Sequence, residues 1–457
     1  MARSIVRLGA LRDAVRVQLW PLPALGVVLA LGLGIVLPRV DARVDDDLPS
    51  GVTAYLFGGG AGAARTVLDA VASSLITVTS LTFSLTVVTL QLASSQFSPR
   101  LLRTFMRDRF VHLTLALFLA TFTYALTVLR SVRTAEDGAA PFVPQLSVTV
   151  AFVLTLASVL ALVLFLAHLA RGIRVETMLG NVHAEASDTV RRVLARRAHP
   201  GSEDVASPRT PAQALPLPAR DSGFLVRVDE QALLAAAVQA DAVVVLDRCP
   251  GSSIVAGTPV AAGWPREAES FAAEGDTAGR LAERVAGAIS TGPERTSAQD
   301  IGFGLRQLTD VTAKALSPGI NDPTTALHAL GHSAALLCEL AGRDLRPRLL
   351  RDAQERVRVV LRGPSFEELL ELAVGQPRRY GAGDPLVLAR LFALLRELAW
   401  SVHRPEQRDA VADQLTRLRA TSAGQDFDQR ERDRLAAAAE QVEQALVGRW
   451  TPEVSPW

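Results

Sequence analysis

The residues best placed to do chemistry lie in "RTSAQDIGFGLRQLTDVTAKALSPGINDPTTALHALGHSAALL", Arg295 to Leu337. Thr296 and Gln299 form a capping-box pattern, which predicts a helix running from there to about Leu316. Arg306, Asp310 and Lys314 fall four apart on one face of it, and Lys314 is the single lysine among 48 basic residues. Pro318 and Gly319 then break the helix, so Lys314, Ser317, Asn321, Asp322 and Thr325 converge on one tight turn. Asn321 or Asp322 is set to cap the next helix, with Pro323 at its first position. Two readings stay open. One is a helix corner with an ion ladder, whose i,i+4 neighbours contribute about 0.2–0.5 kcal/mol per pair. The other is a ligand turn: a helix N-terminus beside Lys314 binds an anion, or carboxylates and carbonyls hold a cation. On that reading the expected ligand is an ion or small molecule.

Other chemistry finds no support in the motifs. His328 and His332 have the i,i+4 spacing of a chelating pair. Position 329 is Ala, however, where an H-E-x-x-H site needs Glu, and no third ligand follows at a characteristic spacing. Cys249 and Cys338 stand far apart in no metal-like pattern, so neither a disulfide framework nor a metal site is assigned. No nucleophile–base motif and no Gly-rich phosphate loop occurs, so no catalytic residue and no cofactor is expected. A net charge of +1 on 457 residues provides no basic field for nucleic acid.

A second set of polar side chains lies in "ASSLITVTSLTFSLTVVTLQLASSQFSPR", residues 72 to 100, which holds twelve Ser and Thr and no charge before Arg100. Strict alternation from Thr82 to Val87 suggests a strand, but an isolated strand in a bilayer leaves its backbone unpaired, so a membrane span here must be helical. At helical spacing Ser73, Thr77, Ser80, Ser84, Gln91 and Ser94 make one seam. Thr79, Thr82, Thr86 and Thr89 make a second stripe, and Leu81, Leu85, Val88 and Leu92 make an apolar face. The seam is read either as a helix-packing surface or as the lining of a polar path shared by several copies. In a pore, Arg100, Arg103, Arg107 and Arg109 would favour anions at the inner mouth.

The elements that carry these residues follow from hydropathy. The mean hydropathy of +0.23 hides a division, with the long apolar runs before residue 171 and most of the charge after it. Four segments meet the length of about 20 apolar residues that a bilayer requires: 20–38, 66–93, 110–129 and 145–170. Arg3, Arg7, Arg12 and Arg16, the arginines from 100 to 109, and Arg171, Arg174, Arg191 and Arg192 lie on one side. Asp41 and Asp45 to Asp47 lie on the other. The positive-inside rule then places both termini and the middle loop in the cytoplasm.

The expected fold class is an α-helical integral membrane domain of four transmembrane helices (1–170) plus a mainly helical α+β cytoplasmic domain (224–450). A helical extension over 171–198 carries the stripe Val175, Met178, Val182, Ala186, Val190 and Val193 as a continuation of the fourth span. A Pro-rich linker or loop is expected over 199–223. Short strands follow: "FLVRVD" and "AVVVLDR" flank a helix capped by Asp229, and "CPGSSIVAGTPVAAG" reads as turn, strand, turn, strand. "RVRVVLR", 356 to 362, is a further strand, and 384–448 reads as three amphipathic helices.

"SSLITVTSLTFSLTVVTLQLASSQFSPRLL" and "RTSAQDIGFGLRQLTDVTAKALSPGINDPTTA" together resemble a bacterial family of predicted membrane proteins, domain of unknown function 2254. The resemblance implies a multi-pass inner-membrane protein with a cytoplasmic domain, and it implies no activity. Two functions are therefore expected as alternatives. One is a homo-oligomeric, channel-like protein in the lipid bilayer; the other is a membrane-anchored sensor or scaffold that binds a small ligand or protein near Lys314 to Asp322.

Overall fold

The computed structural model describes residues 20–44, 56–96, 108–133, 142–172, 174–195, 208–268, 270–271, 276–450 and 452. The chain divides into two compact units, Met1–Arg174 and Val175–Trp457.

The first unit holds helices α1 (Pro21–Val44), α2 (Ala61–Gln96), α3 (Arg109–Leu129) and α4 (Gln145–Gly172). All four are long and apolar enough to cross a membrane. Helix α3 packs against each of the other three and buries Phe118, Tyr124, Ala125 and Val128. Helix α1 lies close on α3 because its contact residues are small. Gly26, Ala30 and Gly34 recur every four residues, and a Cβ on Gly34 would stand 2.8 Å from Thr127 Cβ. Polar bonds tie α3 to α4: Thr121 Oγ1 lies 3.2 Å from Ser158 Oγ, and Tyr124 donates to the Ser147 carbonyl at 3.1 Å. Helix α4 begins after Pro144, which has no side-chain acceptor to cap it. Asp41 of α1 does so instead, accepting from Leu146 N and Ser147 N at 3.0 Å and from Ser147 Oγ at 2.5 Å.

The second unit begins with α5 (Val175–Ala195). Strands β1 (Leu215–Pro218), β2 (Gly223–Val228), β3 (Ala242–Leu246), β4 (Ser253–Ile254), β5 (Pro259–Pro265), β6 (Ile289–Gly292), β7 (Arg348–Arg351) and β8 (Val357–Leu361) form two sheets. The larger has the order β1-β5-β3-β8-β7, antiparallel except for the β3–β8 pair, and the smaller has the order β4-β2-β6. β3 is buried along its whole length. Ala242, Val244 and Leu246 join one core with Leu233 and Leu281, while Val243 and Val245 meet Trp264 and Val360 on the other face. Leu233 and Leu281 belong to α6 (Glu230–Gln239) and α7 (Thr277–Gly287).

The remaining helices are α8 (Phe303–Ala315), α9 (Pro323–Ala341), α10 (Phe366–Tyr380), α11 (Pro385–Ser401), α12 (Pro405–Ala423) and α13 (Gln429–Leu446). They share a second core with Ala186, Val190 and Leu194 of α5. Asp229, Ser365, Asp384 and Asp428 each cap a helix through the side chain. The three C-terminal helices, the strand at 357–361 and the two turns at Gly251 (φ +93°) and Gly257 (φ +80°) match the sequence reading.

Three expectations are corrected. The helix carrying Lys314 starts at Phe303, not at a Thr296 capping box. Gln299 is drawn off to the sheet, where it accepts from Val228 N at 2.8 Å and donates to Val228 O at 3.2 Å; Thr296 Oγ1 is buried with no partner among the described residues. Within the expected linker, Leu215–Pro218 is a strand paired with β5, because its apolar residues find an open sheet edge and its prolines are tolerated there. Residues 199–207 of that linker lie outside the described ones. Finally, the fourth apolar helix and its expected extension are separate helices, one ending at Gly172 and the next starting at Val175.

Candidate functional site

Helix α2 places its two polar stripes on opposite sides. Thr79, Thr82, Thr86 and Thr89 are buried with Leu68, Val71, Ala72 and Leu75 against the rest of the unit. Three of the four threonines bond back to their own helix: Thr79 to Leu75 O at 2.6 Å, Thr86 to Thr82 O at 2.8 Å and Thr89 to Leu85 O at 2.8 Å. Thr82 Oγ1 is buried with no partner among the described residues.

Ser73, Thr77, Ser80, Ser84 and Gln91 are all exposed. At 3.6 residues per turn the mean direction of this seam lies about 180° from that of the buried stripe. Thr77 bonds to the Ser73 carbonyl at 3.0 Å, whereas the side chains of Ser80, Ser84 and Gln91 bond to nothing among the described residues. Ser94 ends the predicted seam, but its side chain lies outside the described ones, as do Arg100, Arg103 and Arg107. Leu81, Phe83, Val87 and Val88 flank the seam and are exposed too. The sequence reading missed Asp69. It stands four residues before Ser73 on the same exposed face, and its carboxylate has no ion-pair partner among the described residues. The signal was available: an acid at i−4 extends the seam by one turn.

The turn after α8 is built differently. Asp322 caps α9, accepting from Thr325 N at 3.1 Å and from Thr325 Oγ1 at 2.5 Å. Those bonds hold its carboxyl below the usual carboxylate range. Ser317 Oγ donates to Lys314 O at 2.6 Å, and Asp322 N donates to Ala315 O at 2.8 Å. Asn321 takes a left-handed conformation, φ +50°, which frees Asp322 to be the cap. Ser317, Asp322 and Thr325 are thus brought together, and they satisfy one another and the backbone. Lys314 is half-buried above them. Arg306 and Asp310 lie on earlier turns of α8, also half-buried, and the charge of Arg306 acts on the buried Asp300.

Residues 16–397 match the model of the predicted membrane protein family DUF2254. The chain belongs to this family. Within DUF2254 terms, the matched region takes in all four apolar helices, the seam of α2 and the turn at Lys314 to Thr325. An uncharacterized protein of Mycobacterium bovis is 36% identical over 434 residues, which is 94% of this chain and 81% of the relative. Two uncharacterized proteins from strains of Mycobacterium tuberculosis show the same identity and coverage. No solved structure matches this DUF2254 chain.

Proposed function

We infer that this protein is a homo-oligomeric, channel-like protein of the inner membrane. In this reading α2 of each copy turns Ser73, Thr77, Ser80, Ser84 and Gln91 toward a shared axis, lining a polar path for ions. The observation that carries the reading is the seam's position opposite the face that α2 packs within its own chain. Hydroxyl and amide groups gain little by facing lipid, and a Gln side chain there leaves an amide unpaired, so a neighbouring copy or water is the better environment. With both termini cytoplasmic, as the arginine distribution argues, Asp69 lies at the outer end of the path. Repeated around the axis, it would concentrate cations there. The C-terminal unit is then cytoplasmic and serves assembly or gating.

The sensor reading rests on the turn at Lys314, and there the bonds of Ser317, Asp322 and Thr325 already go to the turn itself. That favours a structural corner over a ligand site.

Planar-bilayer recordings of the purified protein test the inference. Ser80→Leu with Ser84→Leu should sharply reduce unitary conductance, while Asp69→Asn should leave conductance and move the reversal potential away from cations. Oligomeric protein that passes no current would remove the channel reading.

A further inference from the structure

Three histidines of the C-terminal unit take no part in the path proposed above. His183 stands on α5, and His328 and His332 stand one turn apart on α9. The rings of His183 and His332 meet across the two helices, with centroids 5.3 Å apart and planes inclined by 47°. His183 Nδ1 is shut away from solvent with no hydrogen-bond partner among the described residues. Burial, and then the charges of His183 and His328, keep the His332 imidazolium below the usual histidine range.

Several carboxylates on the surrounding helices are engaged elsewhere, while Asp310 stands half-buried on α8. On α5, Glu185 accepts from Ser297 Oγ at 2.5 Å, and Asp188 pairs with Arg192. On α8, Arg306 acts on Asp300. From α10, Glu371 pairs with Arg417 and Gln414. From α11, the Arg390 guanidinium comes up to Gly331, beside His332, and is held by both oxygens of Glu397. On α9 itself, Asp322 is bonded to Thr325 at the far side of His328. The charges that act on His332 are its two fellow imidazoles.

We propose that the His183–His332 contact is a proton-sensitive latch that holds α5 on α9 while the His332 ring is neutral and releases it when mild acid charges that ring. Protonation charges the His332 ring where burial and the neighbouring imidazoles disfavour a charge, so the docked state loses and the open state gains. In the chain, two residues separate the start of α5 from the end of the last apolar helix.

The test is hydrogen–deuterium exchange of the full-length protein in lipid nanodiscs, at roughly pH 7.5 and roughly pH 5.5, either side of the ordinary histidine value. Rates are corrected for intrinsic pH dependence and referred to α12. Wild-type α5 should exchange faster relative to α12 in acid than at the higher pH, the direction that a lowered His332 value dictates. His332→Asn and His183→Gln should each abolish that rise while leaving α5 protected at the higher pH. The two variants approach the contact from opposite sides, so one suffices if the other fails to fold. A wild-type α5 that is equally protected at both values overturns the proposal, as does a rise that persists in a folded variant.

Discussion

At the scale of single residues, the clearest effects come from side chains whose bonding is complete or conspicuously incomplete. Asp322 supplies the cap of α9, so Asp322→Ala should cost about 1 kcal/mol in a denaturant titration, while Asp322→Asn keeps most of the cap. A loss of that size in both variants would mean that the charge, and not the cap, is what matters. Thr82 is the opposite case. Its hydroxyl is buried and unpartnered, so Thr82→Val should leave the melting temperature in detergent unchanged or raise it, by the equivalent of about 1 kcal/mol. Asp108 both caps α3 through Phe110 N at 2.9 Å and bonds to His168 of α4. Asp108→Ala should therefore lower that temperature, since it removes both the cap of α3 and the bond to His168, whereas His168→Ala removes the bond and a ring contact with Phe110 but leaves the cap.

At the scale of elements, two helix contacts are decided by small residues. Helix α5 crosses α8 where a Cβ on Gly304 would lie 2.2 Å from Ala186 Cβ. Gly304→Ala should force the helices apart and destabilise the C-terminal unit by about 1–3 kcal/mol, measurable by thermal denaturation. Helix α2 shows how much of an element was legible. Its helical nature follows from the backbone's need for pairing in a bilayer, and its two stripes then follow from spacing, because hydroxyls at steps of three and four must fall on one side of a helix. Which stripe faces inward does not follow, since both are uncharged and rich in hydroxyls and both are flanked by apolar residues. The start of α8 was misread for a related reason. A Thr-x-x-Gln pattern is a local signal, and the unpaired backbone of Val228 outcompeted it for the Gln299 amide.

At the scale of the whole molecule, acid should weaken the C-terminal unit in two stages. The lowered value of His332 means that its neutral form is favoured by folding. Its contribution is complete above about pH 6.5 and lost as pH falls from there toward the lowered value. Asp241 and Asp322 are also lowered, by bonds from Arg358 and Thr325 respectively, so their contributions hold above about pH 4 and are lost as pH falls through their lowered values. Melting curves across pH should show the first stage disappear in His332→Asn and the second remain.

Sequence alone determined the four apolar helices, the change of character after residue 171, the cap at Asp229 and the family, because hydropathy, helical period and capping chemistry act over a few turns of chain. Only the tertiary structure decided that Asp41 caps a helix more than a hundred residues away, that Leu215–Pro218 completes a sheet edge, that His183 meets His332, and that the seam from Ser73 to Gln91 faces outward. Each of these depends on which surfaces are left unsatisfied once distant elements have packed, and no local pattern records that.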